Sequence, residues 1–392
     1  MVQGRAFEPV LDDVSHSSRS VVVAPDKFKG SLTAEQVAEA IAAGLVRNGA
    51  SLQITRHPVA DGGDGLVTGL VRHGFRKEVA TVAGPLGKSV QAAYATRGEI
   101  AVVELATASG MDLLARSELD PFRCSTYGTG QLIREAVARG ARHVVVGVGG
   151  SATCDGGAGI LAALGARFLD HEGRMLPPGP EALTAVADVD LSLVPGALRG
   201  AKVVVASDVR NVLLGKDGAV AIFGPQKGAR PDQLPALEER MGRWADALER
   251  CVGRRVRERP GTGAAGGSSF ALAAVFDAPI QAGIDLFLDL SRFDEVVKGA
   301  DLVITGEGCF DEQTLAGKAP LGVCRAASRR GVPTAVVAGT STLTLDQARR
   351  KGFASLYTLS TVEPDRERSI CDAAPLISTV SARLARDMLC GN

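Results

Sequence analysis

HVVVGVGGSATCDGGAG, residues 143–159, is an apolar run that breaks into a loop with glycines at 147, 149, 150, 156, 157 and 159 and an acid at Asp155. The run His143 to Val146 reads as a buried strand. Gly147-x-Gly149-x-x-Ala152 comes close to the dinucleotide pattern G-x-G-x-x-G/A, and Asp170 follows at a suitable remove. One expectation is therefore an NAD-dependent oxidoreductase using the Gly-rich loop at 147–152. Against it stand Ser151, Thr153 and Asp155, which present hydroxyls and a carboxylate where a pyrophosphate would want bare backbone. That combination better suits a phosphate accompanied by a metal ion.

Working outward, SVVVAPD (20–26) reads as a strand followed by a helix that begins near Ser31 and Thr33 and stops at Asn48-Gly49. LQITRHPVA runs into Asp61-Gly-Gly-Asp64-Gly and another helix, a βαβα opening. From 76 to 106 the texture changes to short alternating segments of a different layer. Beyond the loop at 143–159 come AKVVVASD (201–208) and, near 300, renewed βαβ texture: DLVITGEG, PTAVVAGT, ASLYTLS and a last helix at 375–389. Residues 177–199 and 254–268, rich in Pro, Gly and Arg, read as loops. The expected fold is α/β with two domains. A doubly wound, Rossmann-like domain is built from both chain ends (20–80 and 290–392), a large α/β domain is inserted (81–289), and residues 1–19 form a flexible extension.

Composition narrows the class. The 392 residues are 45% hydrophobic and 22% charged, enough for two cores. With 44 basic and 44 acidic residues there is no global field to recruit nucleic acid or a membrane surface. Seven scattered cysteines (124, 154, 251, 309, 324, 371, 390), none in a C-x-x-C pair, indicate neither a zinc site nor a disulfide framework, and a cytoplasmic setting is expected. There is no 18-residue apolar window to span a membrane and no secretory signal in residues 1–19.

Four apolar strands run out into carboxylate-bearing loops: the first delivers Asp26 and Lys27, the second Asp61 and Asp64, VVVASD delivers Asp208, and DLVITGEG delivers Glu307 with Asp311 behind it. Ligands of open parallel sheets sit outside the carboxyl ends of the strands, so these acids converge without being neighbours in sequence. Any one of them alone is equally well an N-cap. Lysines in Gly-containing loops supply counter-charge: Lys27 and Lys29 in DKFKGSL, Lys227 in FGPQKGA, Lys318 in LAGKAP. Exposed backbone amides, lysines and carboxylates able to hold Mg²⁺ are what phosphoryl transfer requires of a protein, which chiefly positions reactants and neutralises charge. Competing motifs fail. GPLGKS (84–89) lacks the first glycine of a P-loop, there is no kinase H-R-D or D-F-G, the five histidines form no H-x-x-x-H pair, and no serine lies in G-x-S-x-G.

Taken in order, APDKFKGSL (24–32), ADGGDG (60–65), GTGQLIREA (128–136), GGSATCDGGAG (149–159), DVRN (208–211), FGPQKGA (223–229), GAAGG (263–267) and TGEGCFDEQTLAGKAPLGV (305–323) resemble the class I glycerate kinases, over about residues 20–388. Cys154, Val212 and Ser268-Ser269-Phe270 depart from the usual pattern without removing a charge. The resemblance implies ATP-dependent phosphorylation of D-glycerate with Mg²⁺, giving 2-phosphoglycerate, in a cleft between two α/β domains.

On that basis Asp208, Asp61 and Glu307 are the expected metal carboxylates. Asp64 or Asp155 is the base, and Lys27 or Lys227 the cation for the glycerate carboxylate. Asp26, Ser151, Thr153, Asn211, Gln226, Asp311, Gln313 and Lys318 are expected to contact substrate or phosphate. D-glycerate and ATP are the expected partners of a monomer or small homo-oligomer that binds no nucleic acid. A third possibility, a non-catalytic sensor, is disfavoured because every group phosphoryl transfer needs is present.

Overall fold

The computed structural model describes residues 18–48, 51–60, 65–315 and 317–389. The expected extension at 1–19 lies outside these residues except for its last two, and so do Asp61 and Asp64. In chain order the strands are β1 (Arg19–Val23), β2 (Leu52–Arg56), β3 (Arg76–Ala83), β4 (Ser89–Arg97), β5 (Ile100–Glu104), β6 (His143–Gly147), β7 (Arg167–Leu169), β8 (Asp188–Asp190), β9 (Lys202–Ala206), β10 (Ile280–Gln281), β11 (Leu302–Phe310), β12 (Thr334–Ser341) and β13 (Ser355–Thr358).

The two ends of the chain make one parallel sheet in the order β13-β12-β11-β1-β2. Counted along the chain this is the doubly wound order 2-1-3-4-5, whose connections reverse between β1 and β11, with Val22 opposite Val303. The intervening chain makes a six-stranded sheet, β10-β9-β6-β5-β4-β3, parallel from β10 to β5 and antiparallel from β5 to β3. The change of texture read between 76 and 106 is this antiparallel wing. β3 begins at Arg76 and so belongs to the six-stranded sheet from its first residue, a few positions before the expected boundary at 80. β1, β6 and β11 are continuous apolar runs because helices cover both faces of a parallel sheet.

Gly128 and Gly130 lie in the first turn of the helix Tyr127–Ala138. A Cβ on Gly128 would sit 1.8 Å from the Ala83 carbonyl oxygen, and one on Gly130 2.5 Å from that of Ile160, so these glycines let the helix dock. The stretch 254–268, expected as loop, runs into the helix Ala264–Phe276, whose first turn is broken by left-handed backbone at Ala265, Gly266 and Gly267.

The two sheets share packing. One apolar cluster joins Val22, Ala24 and Val303 of the five-stranded sheet to Ala95, Val102, Val145 and Ala206 of the six-stranded one, through Leu66, Leu70, Ile284, Phe287 and Val323 on intervening helices. At its edge His57 and His73 stack with ring centroids 4.0 Å apart. His57 Nε2 lies 2.9 Å from Ser291 Oγ, His73 Nε2 lies 3.1 Å from the Pro58 carbonyl, and Arg97 donates to the carbonyls of His73 and Leu290. Burial lowers the pKa of His57 to about 3, with the second imidazole adding to the effect.

Candidate active site

A chain of hydrogen bonds links the carboxyl ends of the two sheets. At the switch point, the Asp26 amide donates to the Gly306 carbonyl (2.9 Å), and the Thr305 hydroxyl donates to the carbonyl of Ala24 (2.9 Å). The continuation of β2 is held there too, since the Val59 amide donates to the carbonyl of Pro25. The Leu66 amide, at the start of the helix Leu66–Arg72, donates to Glu104 Oε1 (2.5 Å) at the end of β5. From there Leu105 donates to the carbonyl of Gly147, Val148 to that of Ala206, and the Gly283 amide to Asp208 Oδ1 (2.9 Å). The ends of β1, β11, β5, β6 and β9 therefore form one rim.

Along this rim the expected residues fall into three groups. Asp26 and Lys27 are half-buried beside Glu307, which is 8% exposed and accepts a hydrogen bond from Thr314. Asp311 accepts from the amides of Gln313 and Thr314 and pairs with Lys318 across 3.9 Å. Lys318 caps the helix Ala319–Ser328. Asp208 is exposed at the end of β9 and meets the first turn of the helix Gly283–Leu290. Asp26, Lys27 and Glu307 lie at the carboxyl ends of β1 and β11, the switch point at which doubly wound sheets bind ligands, whereas Asp208 ends a strand of the other sheet. Asn211 and Gln226 stand apart from that network: the Asn211 amide closes its own loop on the Asp217 carbonyl, and Gln226 is exposed on a short turn.

The loop after β6 behaves differently. Gly149 and Gly150 reach the surface, but residues 151–161 are buried with the sole exception of a partly covered turn edge at the following Ala162. Its amides are taken within the protein: Ala152 donates to Ser109, Gly156 to Gly266, and Gly157 and Gly159 to the Asp155 carboxylate. Asp155 also accepts from the amide and hydroxyl of Thr126, both at 2.8 Å. Burial pushes its carboxyl up while these four donors pull it down. Asp155 is fully buried and its carboxylate is engaged by four donors, an arrangement that braces the loop. Thr153 is completely buried as well. The dinucleotide expectation finds no support here: the amides of Val148 and Ala152 are engaged within the protein, and the helix starts only at Ala158, well beyond the turn. Lys227, 2% exposed, lies under this loop, donating to Ser151 Oγ (2.7 Å) and to the Thr153 carbonyl (2.8 Å), and burial lowers its pKa.

Glu104 was overlooked in the sequence. It ends an apolar strand as Asp26 and Asp208 do, but sits in the segment assigned to a separate layer, so the strand-end rule was not applied to it.

A doubly wound sheet whose switch point carries carboxylates and a lysine, packed against a second, largely parallel sheet, is the architecture of an α/β protein with its ligand site at the strand ends. The profile of the glycerate kinase family matches residues 21–389. The chain is 41% identical over 342 residues to the glycerate kinase of Bacillus subtilis (strain 168), covering 86% of this chain and 90% of that protein. It is 35% identical over 375 residues to the glycerate 2-kinase of Escherichia coli (strain K12), covering 95% and 98%. A solved structure named for glycerate kinase 2 of Salmonella typhimurium LT2 superposes with a TM-score of 0.82 at 37% identity, over 95% of this chain and 99% of that one. The chain belongs to the glycerate kinase family, and is thus a phosphotransferase with an alcohol group as acceptor. Nothing in these relatives supports the oxidoreductase alternative.

Proposed function

We propose that the protein transfers the γ-phosphoryl group of ATP to O2 of D-glycerate, giving 2-phosphoglycerate, at the joint rim of the two sheets. The observation that supports this is that strand ends of both sheets carry acids or lysines, Asp26, Lys27 and Glu307 on one and Glu104 and Asp208 on the other, with the helix that follows β2 bonded through the Leu66 amide to Glu104. Lys27 offers its ammonium to the glycerate carboxylate. Lys318, held by Asp311, offers its charge to phosphoryl oxygens. With Asp155 engaged in bracing its loop, Asp64 is the proposed base that accepts the hydroxyl proton.

Asp208, Glu307 and Asp61 are hard oxygen donors suited to Mg²⁺. Among the described residues no three acidic, His or Cys side chains converge as a metal cage. Mg²⁺ characteristically takes one or two carboxylates and completes its shell with water and phosphate oxygens, so the donors present fit it. When bound it would neutralise charge on the transferred phosphoryl group. We further propose the two-domain division at about residues 80 and 290, a cytoplasmic setting, and a monomer or small homo-oligomer. No helix among the described residues is long and apolar enough to cross a membrane.

A coupled assay for ADP release with D-glycerate as acceptor tests the activity, and ³¹P–¹³C coupling in the product distinguishes the 2-phosphate from the 3-phosphate. ADP release that ignores D-glycerate would sink the proposal.

A further inference from the structure

Lys227 has an unusual set of partners for an internal lysine. Its Nζ donates to Ser151 Oγ at 2.7 Å and to the Thr153 carbonyl at 2.8 Å, both neutral oxygens. The nearby Asp155 carboxylate is engaged by Thr126, Gly157 and Gly159. Burying an ammonium beside neutral acceptors is costly unless an anion completes the arrangement. A lysine ammonium has only donors, so at this contact the Ser151 oxygen must accept, which leaves its own O–H as the donor. Among the described residues that proton meets no acceptor. A hydroxyl that accepts a charge-assisted bond is polarised into a stronger donor in turn. Ser151 follows the surface turn Gly149-Gly150, which leaves the end of β6 on the rim, and it retains 4% exposure. A second hydroxyl, Thr153 Oγ1, lies fully buried with no hydrogen-bond partner.

Resting on the kinase function proposed above, we infer that Lys227 is a positioning residue acting through Ser151: it aims the Ser151 hydroxyl as a charged-ligand donor at an anionic oxygen of a substrate. Lys227 itself touches no substrate in this arrangement. The ligand chemistry is an oxyanion, either the glycerate carboxylate or a phosphoryl oxygen of ATP. Both would accept the same hydrogen bond.

Four variants separate the outcomes: Ser151→Ala, Ser151→Thr, Lys227→Met and the Ser151→Ala/Lys227→Met double variant, each assayed for ADP release with D-glycerate and ATP·Mg²⁺ varied in turn. Loss of one charge-assisted hydrogen bond should raise the KM of one substrate about tenfold in Ser151→Ala and leave the other within about twofold. Ser151→Thr, which keeps the hydroxyl, should restore it. A rise confined to glycerate assigns the hydroxyl to the carboxylate, and one confined to ATP assigns it to a phosphoryl oxygen. Lys227→Met should raise the same KM, and the double variant should add little to the larger single effect because the two groups act in series. Unchanged KM values in Ser151→Ala, equal rises for both substrates, or losses that multiply in the double variant would each overturn the inference. Should Lys227→Met give no cooperative melt, the Ser151→Ala and Ser151→Thr pair decides alone. Wild-type protein that releases no ADP with D-glycerate would instead overturn the kinase proposal, an outcome the wild-type control reads separately.

Discussion

The turn after β6 and the ends of β9 and β11 look alike in sequence, each an apolar strand running out into an acid, with glycines beside it after β6 and β11, yet they are opposite in construction. After β6 the acid points inward: Asp155 gathers four donors, and the loop amides are bound to other backbone. After β9 and β11 the acids lie along the rim, with Asp208 exposed and Glu307 held by a single threonine hydroxyl among its partners. The difference teaches that glycine content does not mark which groups of a loop are left for a ligand. What matters is whether the loop's amides and carboxylates are already satisfied by the protein.

The strongest way to break this comparison is Asp155→Ala. Removing the acceptor for four buried donors should cost about 3–5 kcal/mol, seen as a large fall in melting temperature or loss of cooperative unfolding. A wild-type melt with selective loss of activity would return Asp155 to the catalytic list. Asp208→Asn should show the reverse pattern. Its kcat should drop on the order of 10²-fold with weakened Mg²⁺ dependence, while the melt moves little. If that variant keeps both rate and metal response, the rim does not hold the metal at β9.

A third test concerns the seam between the sheets. His57 is neutral in the fold down to about pH 3, whereas in the unfolded chain it takes up a proton below about 6.5. The unfolded state therefore binds more protons between those values, and stability falls as pH drops through that window. Between pH 7 and 5 this one group removes about 2 kcal/mol. His57→Gln should flatten the dependence of melting temperature on pH, and an unchanged slope would remove the histidine pair from the account. The smallest effect is expected at Ala265, a non-glycine residue at φ 51°. Ala265→Gly should raise stability by up to about 1 kcal/mol in denaturant titration, and a loss of stability there would mean that the methyl packs usefully.

The doubly wound sheet was legible because β1, β11 and β12 carry apolar runs that end in acid or glycine, a pattern imposed by burial on both faces. The strand-end positions of Asp26, Glu307 and Asp208 followed from the apolar runs that precede them. Burial around Asp155 and Lys227 was not legible, since it depends on the left-handed backbone at 265–267 seating against Thr153 and Cys154 from more than a hundred residues away. Glu104 was missed although its sequence context obeys the same rule as the other acids.

Strand β1 finds its central partner only in β11, with Ala24 and Thr305 separated by 281 positions along the chain. At a synthesis rate of roughly 5–20 residues per second, the first strand to leave the ribosome waits on the order of 15–55 seconds for that neighbour. The six-stranded sheet is complete in sequence before then, since its last strand ends at Gln281. For this interval β1 and β2 lack the neighbour that completes their sheet, and Val21, Val22 and Val23 stand without the cover that β11 gives them.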